Sequence, residues 1–299
     1  DLGFNEKVLS SIQYPVIVKP VDNGGGVGMR VCNNKKELKE NAKYAHANSH
    51  TGKFLTERFM SCDDMLVYYN FMDGEIFLTA MADRVTTKKQ GNHSPVCLAA
   101  FYPSKYLDAF LKDVNPKMIN MFKELGVENG VLNIQFFVEN DRFYAYDPGF
   151  RLQGEAPHVY LNSLNRFDNR KMLLNFALMG SMGIENLHEI NDPNFNGKHA
   201  CTIWVLIGNG VITEIRGLEK LNEDNSIIEI IQRLDIGDEV TSQMVGNEKQ
   251  VFARIYLVTD SLRELRNKIV DLHKTLRIED NKGKNMIIDW PDLAILDNY

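Results

Sequence analysis

Short apolar runs separated by polar turns characterise the first part of the sequence. The earliest run, residues 14–18, ends in Lys19, and a glycine-rich turn leads to a second apolar run at residues 29–32. This succession predicts two strands joined by a tight loop. Asparagine residues then precede a helical pattern over residues 34–47, which predicts a helix with a side-chain cap at its start.

The rest of the pattern predicts a mixture of strands and helices. Strands are predicted at residues 54–59, 64–71, 75–82, 96–101, 202–207, 211–215, 227–232 and 252–258, and helices at 106–125, 171–182 and 261–276. Asp73-Gly74 lies between two of these apolar runs and is typical of a two-residue hairpin turn. Pro116 interrupts the first of these helices. The polar, Asn/Pro-rich segment 191–196 is a predicted linker.

The glycine-rich turn carries the first candidate chemistry. Gly24, Gly25, Gly26 and Gly28 allow positive φ angles and a close approach of the backbone to a ligand. Successive backbone N–H groups in such a loop form a concavity that binds anions, and Lys19 adds a charge suited to phosphate. A strand pattern follows the turn, so it is neither a P-loop nor a dinucleotide fingerprint, both of which open a helix. A plain hairpin turn is the alternative.

Composition and charge narrow the class of protein. The chain has 299 residues, of which 44% are hydrophobic and 25% charged, as in ordinary globular proteins. The net charge of −6 argues against a nucleic-acid partner, and the apolar runs are too short to cross a membrane. The four cysteines form no CxxC pair, which fits a reducing cytoplasmic location.

Three blocks resemble the ATP-grasp superfamily, which includes biotin carboxylase, the carbamoyl phosphate synthetase large chain and the carboxylate–amine ligases. Val16-Ile-Val-Lys-Pro with Gly24-Gly-Gly-Val-Gly-Met-Arg-Val resembles the phosphate loop of that superfamily. Phe54-Leu-Thr-Glu57-Arg-Phe59-Met resembles its hinge strand. Asn133-Ile-Gln135-Phe-Phe-Val with Tyr146-Asp147-Pro-Gly149-Phe-Arg151 resembles its metal-binding hairpin. The blocks follow the family order over about residues 10–155.

The resemblance implies an α+β ATP-grasp fold, in which two α+β subdomains clamp ATP, with a small β-rich C-terminal domain. The expected ATP-grasp domain spans residues 1–190, with a glycine-loop subdomain at about 10–60 and a metal-binding subdomain at about 61–190. Residues 197–299 form the expected C-terminal α+β domain. Relatives carry an α/β domain before the glycine loop, and we expect this chain to lack it.

The resemblance also implies the nucleotide contacts. The implied phosphate contacts are Lys19, Gly24, Gly25, Gly26 and Gly28; Met29 lies under the adenine, Glu57 and Phe59 belong to the hinge, and Asp64, or its neighbour Asp63, binds the ribose hydroxyls. A carboxylate is a natural acceptor for a diol. A loop with Lys88, Lys89 and His93 lies near the phosphates in relatives, although a solvated loop is the simpler interpretation.

The implied metal site contains Gln135 and Asp147, because Mg²⁺ prefers oxygen ligands. Relatives carry a second acid and an asparagine here; Gly149 stands in the place of the asparagine and removes one ligand. A two-residue turn in this hairpin would place Asp147 on the face opposite to Gln135, so we expect a three-residue loop at residues 140–142. The resemblance implies that Arg151 binds the acyl phosphate or the carboxylate substrate.

The resemblance therefore implies an enzyme that uses ATP and Mg²⁺. ATP phosphorylates a substrate carboxylate to an acyl phosphate, and an amine or another nucleophile displaces the phosphate. Two alternatives stay open: a bicarbonate-activating enzyme similar to carbamoyl phosphate synthetase or biotin carboxylase, and a nucleotide-binding protein without ligase turnover. The expected partners are a small-molecule carboxylate and a nucleophile, without nucleic acid or membrane, and a homodimer is left open.

Overall fold

The computed structural model describes residues 5–24, 26–87 and 95–299. The helices are α1 (Glu6–Ser11), α2 (Lys35–Ala47), α3 (Leu107–Asp113), α4 (Asn115–Glu124), α5 (His158–Leu164), α6 (Asn169–Met179), α7 (Leu187–Ile190), α8 (Leu218–Asn222) and α9 (Leu262–Thr275). The strands are β1 (Val16–Pro20), β2 (Arg30–Cys32), β3 (Phe54–Arg58), β4 (Asp63–Met72), β5 (Glu75–Thr86), β6 (Cys97–Tyr102), β7 (Gly130–Glu139), β8 (Arg142–Gly149), β9 (His199–Leu206), β10 (Gly210–Arg216), β11 (Ile227–Gln232), β12 (Glu239–Val240), β13 (Val251–Thr259) and β14 (Arg277–Asp280). Gly25, Lys88, Lys89 and His93 lie outside the described residues.

A small antiparallel sheet of order β2-β1-β3 carries the glycine loop. Alternate residues of β1 are buried, and Val16 and Val18 pack with Leu38 of α2. The side chain of Asn34 accepts a hydrogen bond from the Glu37 N–H and caps α2, which confirms the predicted start of this helix. Because strand residues alternate between faces, Lys19 lies on the face away from α2.

The larger sheet has the strand order β11-β13-β9-β6-β5-β4-β7-β8, with antiparallel pairing. Helices α5 and α6 cover one face, on which Tyr160, Leu161 and Met172 are buried. On the other face, α3 and α4 pack near β7, and α9 packs against the C-terminal strands. We call the face under α5 and α6 the site face. The segregation of helices around an antiparallel sheet confirms the α+β class.

The large sheet continues across the predicted domain boundary at residues 190–197. Strand β9 begins at His199 and pairs with β6, so that Ala99 lies opposite Ile203. Strands β13 and β11 then extend the same sheet, while β12, β10 and β14 form a separate three-stranded sheet. The domain division stays a prediction, and its two parts share one sheet. In the described ranges no helix is long and apolar enough to cross a bilayer.

Candidate functional site

Gly28 of the glycine loop occupies a position where a larger residue would clash. Gly28 has φ +80°, and a Cβ there would lie 2.5 Å from Pro20 Cγ and 2.9 Å from Asn48 Cβ. Gly26 also has a positive φ, of 79°, whereas a Cβ on Gly24 would meet nothing within 4 Å. The predicted positive φ angles therefore occur at Gly26 and Gly28, and Gly24 leaves its surroundings open.

Lys19 and the hinge residue Glu57 face each other across β1 and β3. Lys19 Nζ lies 2.5 Å from Glu57 Oε2, and both side chains remain partly exposed. The Phe59 N–H donates to the Pro15 carbonyl at 3.1 Å, and the assignment of Phe59 to the nucleotide site stays a prediction. Met29 is half-buried beside the loop. The structure thus brings Lys19, a predicted phosphate residue, and Glu57, a predicted hinge residue, together on one small sheet.

The metal hairpin reaches its predicted pairing by a different route. Asn140 and Asp141, with φ of 52° and 59°, form a two-residue turn, so the predicted three-residue loop is wrong. The register then shifts between Gln135 and Phe136, where Tyr146 is the extra residue of a β-bulge. Beyond the bulge Gln135 lies opposite Asp147. The two-residue turn alone would have placed Asp147 on the face opposite to Gln135. The extra residue of the bulge returns it to the same face.

Arg84 of β5 connects several predicted site residues on the site face. Its Nη1 lies 3.0 Å from Asp64 Oδ2 and 3.1 Å from Gln135 Oε1. Its Nη2 lies 3.8 Å from Glu155 Oε1. The Arg84 side chain is only 13% exposed, so these charges interact in a medium that screens them less than water does. The sequence analysis missed Arg84, although a charged pair inside the apolar run of β5 is a signal that could have indicated it.

The predicted ribose-binding carboxylates both have protein partners. Asp64 is mostly buried, with 14% of its side chain exposed, pairs with Arg84, and accepts from the Tyr146 hydroxyl at 3.1 Å. Asp63 pairs with Lys105 at 2.7 Å and accepts from the Tyr106 hydroxyl at 2.5 Å. Either carboxylate would have to share these bonds with a ribose diol, and the assignment to ribose stays a prediction.

The segment after β8 brings Glu155 to the middle of the site face. Its carboxylate accepts from Gln153 Nε2 at 2.9 Å and from the Tyr68 hydroxyl at 3.3 Å. Arg254 of β13 donates to the Gly154 carbonyl, and the Tyr256 hydroxyl donates to the Glu155 carbonyl at 2.9 Å. The sequence analysis also missed Arg254, an arginine buried in an apolar strand. Arg151 itself is exposed and donates to the Leu152 carbonyl at 3.1 Å.

Three buried polar atoms around Glu155 have no hydrogen-bond partner among the described residues. They are Arg84 Nε, Arg254 Nε and Gln153 Oε1. Buried polar groups are normally paired, and an unpaired group in a native structure calls for an explanation such as a ligand or ordered water. Two donors and one acceptor therefore remain available for a polar ligand beside this carboxylate.

Burial controls ionisation at this site. It raises the pKa of the Glu155 carboxyl, while the guanidinium groups of Arg84 and Arg254 oppose the rise. Burial likewise raises the pKa of Asp64 against the charge of Arg84. The Cys97 thiol lies within the electrostatic reach of Arg84, yet burial raises its pKa to about 12. That thiol is neutral near pH 7 and is therefore not an activated nucleophile.

The oxygen donors of the hairpin fit Mg²⁺ only when phosphate oxygens complete the coordination. Within the described ranges no group of three or more His, Cys, Asp or Glu side chains is placed to hold a metal ion. Asp147 is exposed, and the Gln135 amide oxygen has two lone pairs, of which Arg84 occupies one. Mg²⁺ commonly binds one or two carboxylates together with nucleotide phosphates. The residues present fit an ion of that kind.

The glycine-loop sheet and the large sheet meet at an ion pair. Arg58, at the end of β3, donates to Glu139 of β7 at 2.9 Å.

The sequence matches the family described as "Carbamoyl-phosphate synthase L chain, ATP binding domain" over residues 4–159, more than half of the chain. The chain belongs to this ATP-grasp family. The match contains the glycine loop, the hinge strand and the metal hairpin.

Individual relatives show the extent of the likeness. The ATP-grasp chain is 25% identical over 154 residues to the carbamoyl phosphate synthase large chain, C-terminal section, of Aquifex aeolicus; the match covers 51% of the chain and only 28% of that relative. The L-amino acid ligase of Bacillus licheniformis superposes with a TM-score of 0.72 at 16% identity, covering 92% of this chain and 66% of the ligase.

A further structure resembles the ATP-grasp chain to a similar degree. It is the biotin carboxylase domain dimer of the Hydrogenobacter thermophilus 2-oxoglutarate carboxylase, in complex with MgADP, ADP and bicarbonate. Its TM-score is 0.67 at 16% identity, covering 91% of this chain and 59% of that one. At such identities, the likeness to both solved structures shows the fold. The ATP-grasp fold predicted from the sequence is thereby confirmed.

Proposed function

We propose that the protein is an ATP-dependent ligase that activates a carboxylate as an acyl phosphate for attack by an amine or another nucleophile. The observation that carries this proposal is the bulged hairpin, which pairs Gln135 with Asp147 and joins Gln135 to the buried Arg84–Glu155 cluster. A candidate metal-and-phosphate position therefore adjoins polar atoms that have no partner among the described residues. Such a ligase works by positioning reactants and stabilising charge.

Each group has a role in this proposal. Lys19 and the loop N–H groups bind the ATP phosphates, and Gln135 and Asp147 would hold Mg²⁺, which would supply neutralisation of phosphate charge. Arg151 binds the acyl phosphate through its planar guanidinium. The unpaired Nε donors of Arg84 and Arg254 suit the carboxylate of the substrate. The amide oxygen of Gln153 suits a hydrogen-bond donor on another part of the substrate.

Bicarbonate activation is the second candidate. The family match to the carbamoyl phosphate synthase ATP-binding domain favours it. Bicarbonate is also a carboxylate-like acid, so the same donors would accept it, and only a substrate screen separates the two. A nucleotide-binding protein without turnover is the third candidate, because Asp147 is the only carboxylate of the predicted metal pair. The cytoplasmic location and the homodimer stay predictions.

The test measures ADP release with ATP and Mg²⁺ against a panel of amino acids, other carboxylates and amines, with bicarbonate as a separate arm. Asp147→Asn keeps the shape and removes the charge; we expect it to abolish turnover and to weaken, without abolishing, nucleotide binding. Asp141→Asn, in the turn of the same hairpin, is the matched control, since asparagine tolerates its positive φ. Turnover by Asp147→Asn at the wild-type rate would show that the hairpin is not the metal site.

A further inference from the structure

Asn133 occupies the space that a side chain at position 149 would need. The two residues lie opposite each other on β7 and β8. A Cβ on Gly149 would be 3.1 Å from Asn133 Nδ2 and 3.2 Å from its Oδ1. Glycine at position 149 therefore makes room for an amide that crosses from the neighbouring strand.

The orientation of this amide follows from its partners. Asn133 Nδ2 donates to the Gly149 carbonyl at 3.0 Å and to the Arg151 carbonyl at 3.3 Å. Carbonyl oxygens only accept, so the amide nitrogen must face them and the oxygen must point elsewhere. Asn133 Oδ1 accepts no hydrogen bond from any residue that the structure describes, although the residue is only 4% exposed. This oxygen is not one of the buried atoms left without a partner, so solvent or a ligand can reach it.

The same face of the hairpin carries the candidate metal ligands. Residues two apart on a strand share a face, so Asn133 and Gln135 are neighbours on β7. Asp147 lies opposite Gln135 on β8. One carboxylate and two amides thus lie on a common face of the hairpin, and the Asn133 oxygen has no partner among the described residues.

We propose that Asn133 supplies a third oxygen ligand, beside Gln135 and Asp147, to the Mg²⁺ that accompanies the nucleotide. This inference rests on the proposed function. The three oxygens carry a single formal negative charge, so the ion binds tightly only when phosphate is present. If Asn133 only holds the Gly149–Arg151 corner in place, its removal lowers the melting temperature and leaves Mn²⁺ affinity unchanged.

The experiment measures Mn²⁺ affinity by electron paramagnetic resonance with saturating ADP, ADP affinity in EDTA, and the melting temperature. We expect Asn133→Ala to weaken Mn²⁺ binding about tenfold, a usual scale for a lost metal-site group, with unchanged ADP affinity in EDTA. The double variant Asn133→Ala/Gly149→Asn returns an amide from the other strand into the vacated space. We expect it to recover most of the Mn²⁺ affinity.

Each other outcome is decisive. If Asn133→Ala lowers the melting temperature but leaves Mn²⁺ affinity at the wild-type value, Asn133 only braces the corner and the inference is wrong. It is also wrong if the double variant regains melting temperature without regaining Mn²⁺ affinity. If wild-type protein binds ADP without binding Mn²⁺, or binds neither, the proposed function itself fails and this inference fails with it.

Discussion

The small glycine-loop sheet and the site face of the large sheet position their charged side chains in different ways. In the small sheet, the loop and the hinge strand lie close in sequence, and the Lys19–Glu57 pair remains partly exposed. On the site face, Arg84, Glu155 and Arg254 come from distant strands and loops; Glu155 and Arg254 are buried, and the Arg84 side chain is only 13% exposed. One region is organised by local backbone geometry and the other by long-range packing.

This difference determines what each region contributes to stability. An exposed ion pair gains little because water screens it, whereas breaking a buried pair leaves an uncompensated charge. Backbone constraints act locally and depend on a single residue, such as Gly28 at its positive φ. The variants below test the contrast, beginning with the largest expected effect.

Removing the buried charge of Arg84 should have the largest effect. Arg84→Met leaves Asp64 and Glu155 without their guanidinium, and we expect the free energy of unfolding to fall by about 3–5 kcal/mol. Arg58→Met breaks an exposed pair with Glu139 and should cost less than about 1 kcal/mol. Urea unfolding measures both. Equal losses for the two variants would contradict the contrast between buried and exposed charge.

In the glycine loop, a substitution at Gly28 should lower stability, whereas one at Gly24 should have almost no effect. Gly28→Ala places a Cβ against Pro20 at a positive φ, so we expect a loss of about 2 kcal/mol, somewhat above the ordinary left-handed penalty. Gly24→Ala has open space and an ordinary φ, and should change stability by less than about 0.5 kcal/mol. Urea unfolding again provides the measurement. A neutral Gly28→Ala would refute the close approach of this loop to Pro20.

Replacing Lys19 should weaken ADP binding and leave the free energy of unfolding almost unchanged. Lys19→Met removes a charge from the phosphate position, and we expect ADP affinity to fall about tenfold, close to the value of one charged hydrogen bond. Its effect on unfolding should stay below about 1 kcal/mol, because the pair with Glu57 is partly exposed. Titration calorimetry compares it with Lys39→Met, which breaks an exposed pair between α2 and Glu6 of α1. Similar ADP affinities for both variants would remove Lys19 from the phosphate site.

The smallest expected effect is a pH dependence at Glu155. Burial raises the pKa of its carboxyl in the folded protein, so the folded state binds the proton more tightly than the unfolded chain. The stability that the protonated Glu155 carboxyl contributes is present below its unfolded pKa and is lost as pH rises through its folded pKa. Glu155→Gln should therefore gain stability relative to wild type as pH rises from about 4, the unfolded range. The gain is small because Arg84 and Arg254 offset part of the effect of burial.

Unfolding at several pH values, with the exposed Glu75→Gln as control, checks this prediction. A difference between Glu155→Gln and wild type that does not change with pH would show that the carboxyl titrates equally in both states. A shift in the opposite direction would mean that the guanidinium groups, rather than burial, control its pKa.

Several elements of the fold follow from local signals in the sequence. Asp73-Gly74 forms the turn between β4 and β5 with positive φ at both residues, and Ser261 caps α9 at its predicted start. Pro116 divides the predicted helix into α3 and α4. The glycine loop lies between β1 and β2. In each case the deciding interaction is between residues a few positions apart, so the sequence contains it.

The tertiary structure alone decided the rest, because the deciding contacts join residues on different strands and form only when those strands pair and pack. The bulge at Tyr146, which pairs Gln135 with Asp147, depends on how β8 packs beside β7. The Arg84–Glu155 contact and the Asn133 amide above Gly149 likewise exist only after the sheet has formed. Periodicity reports which residues are apolar; it carries no information on which buried charges will meet, since burial energy is non-directional.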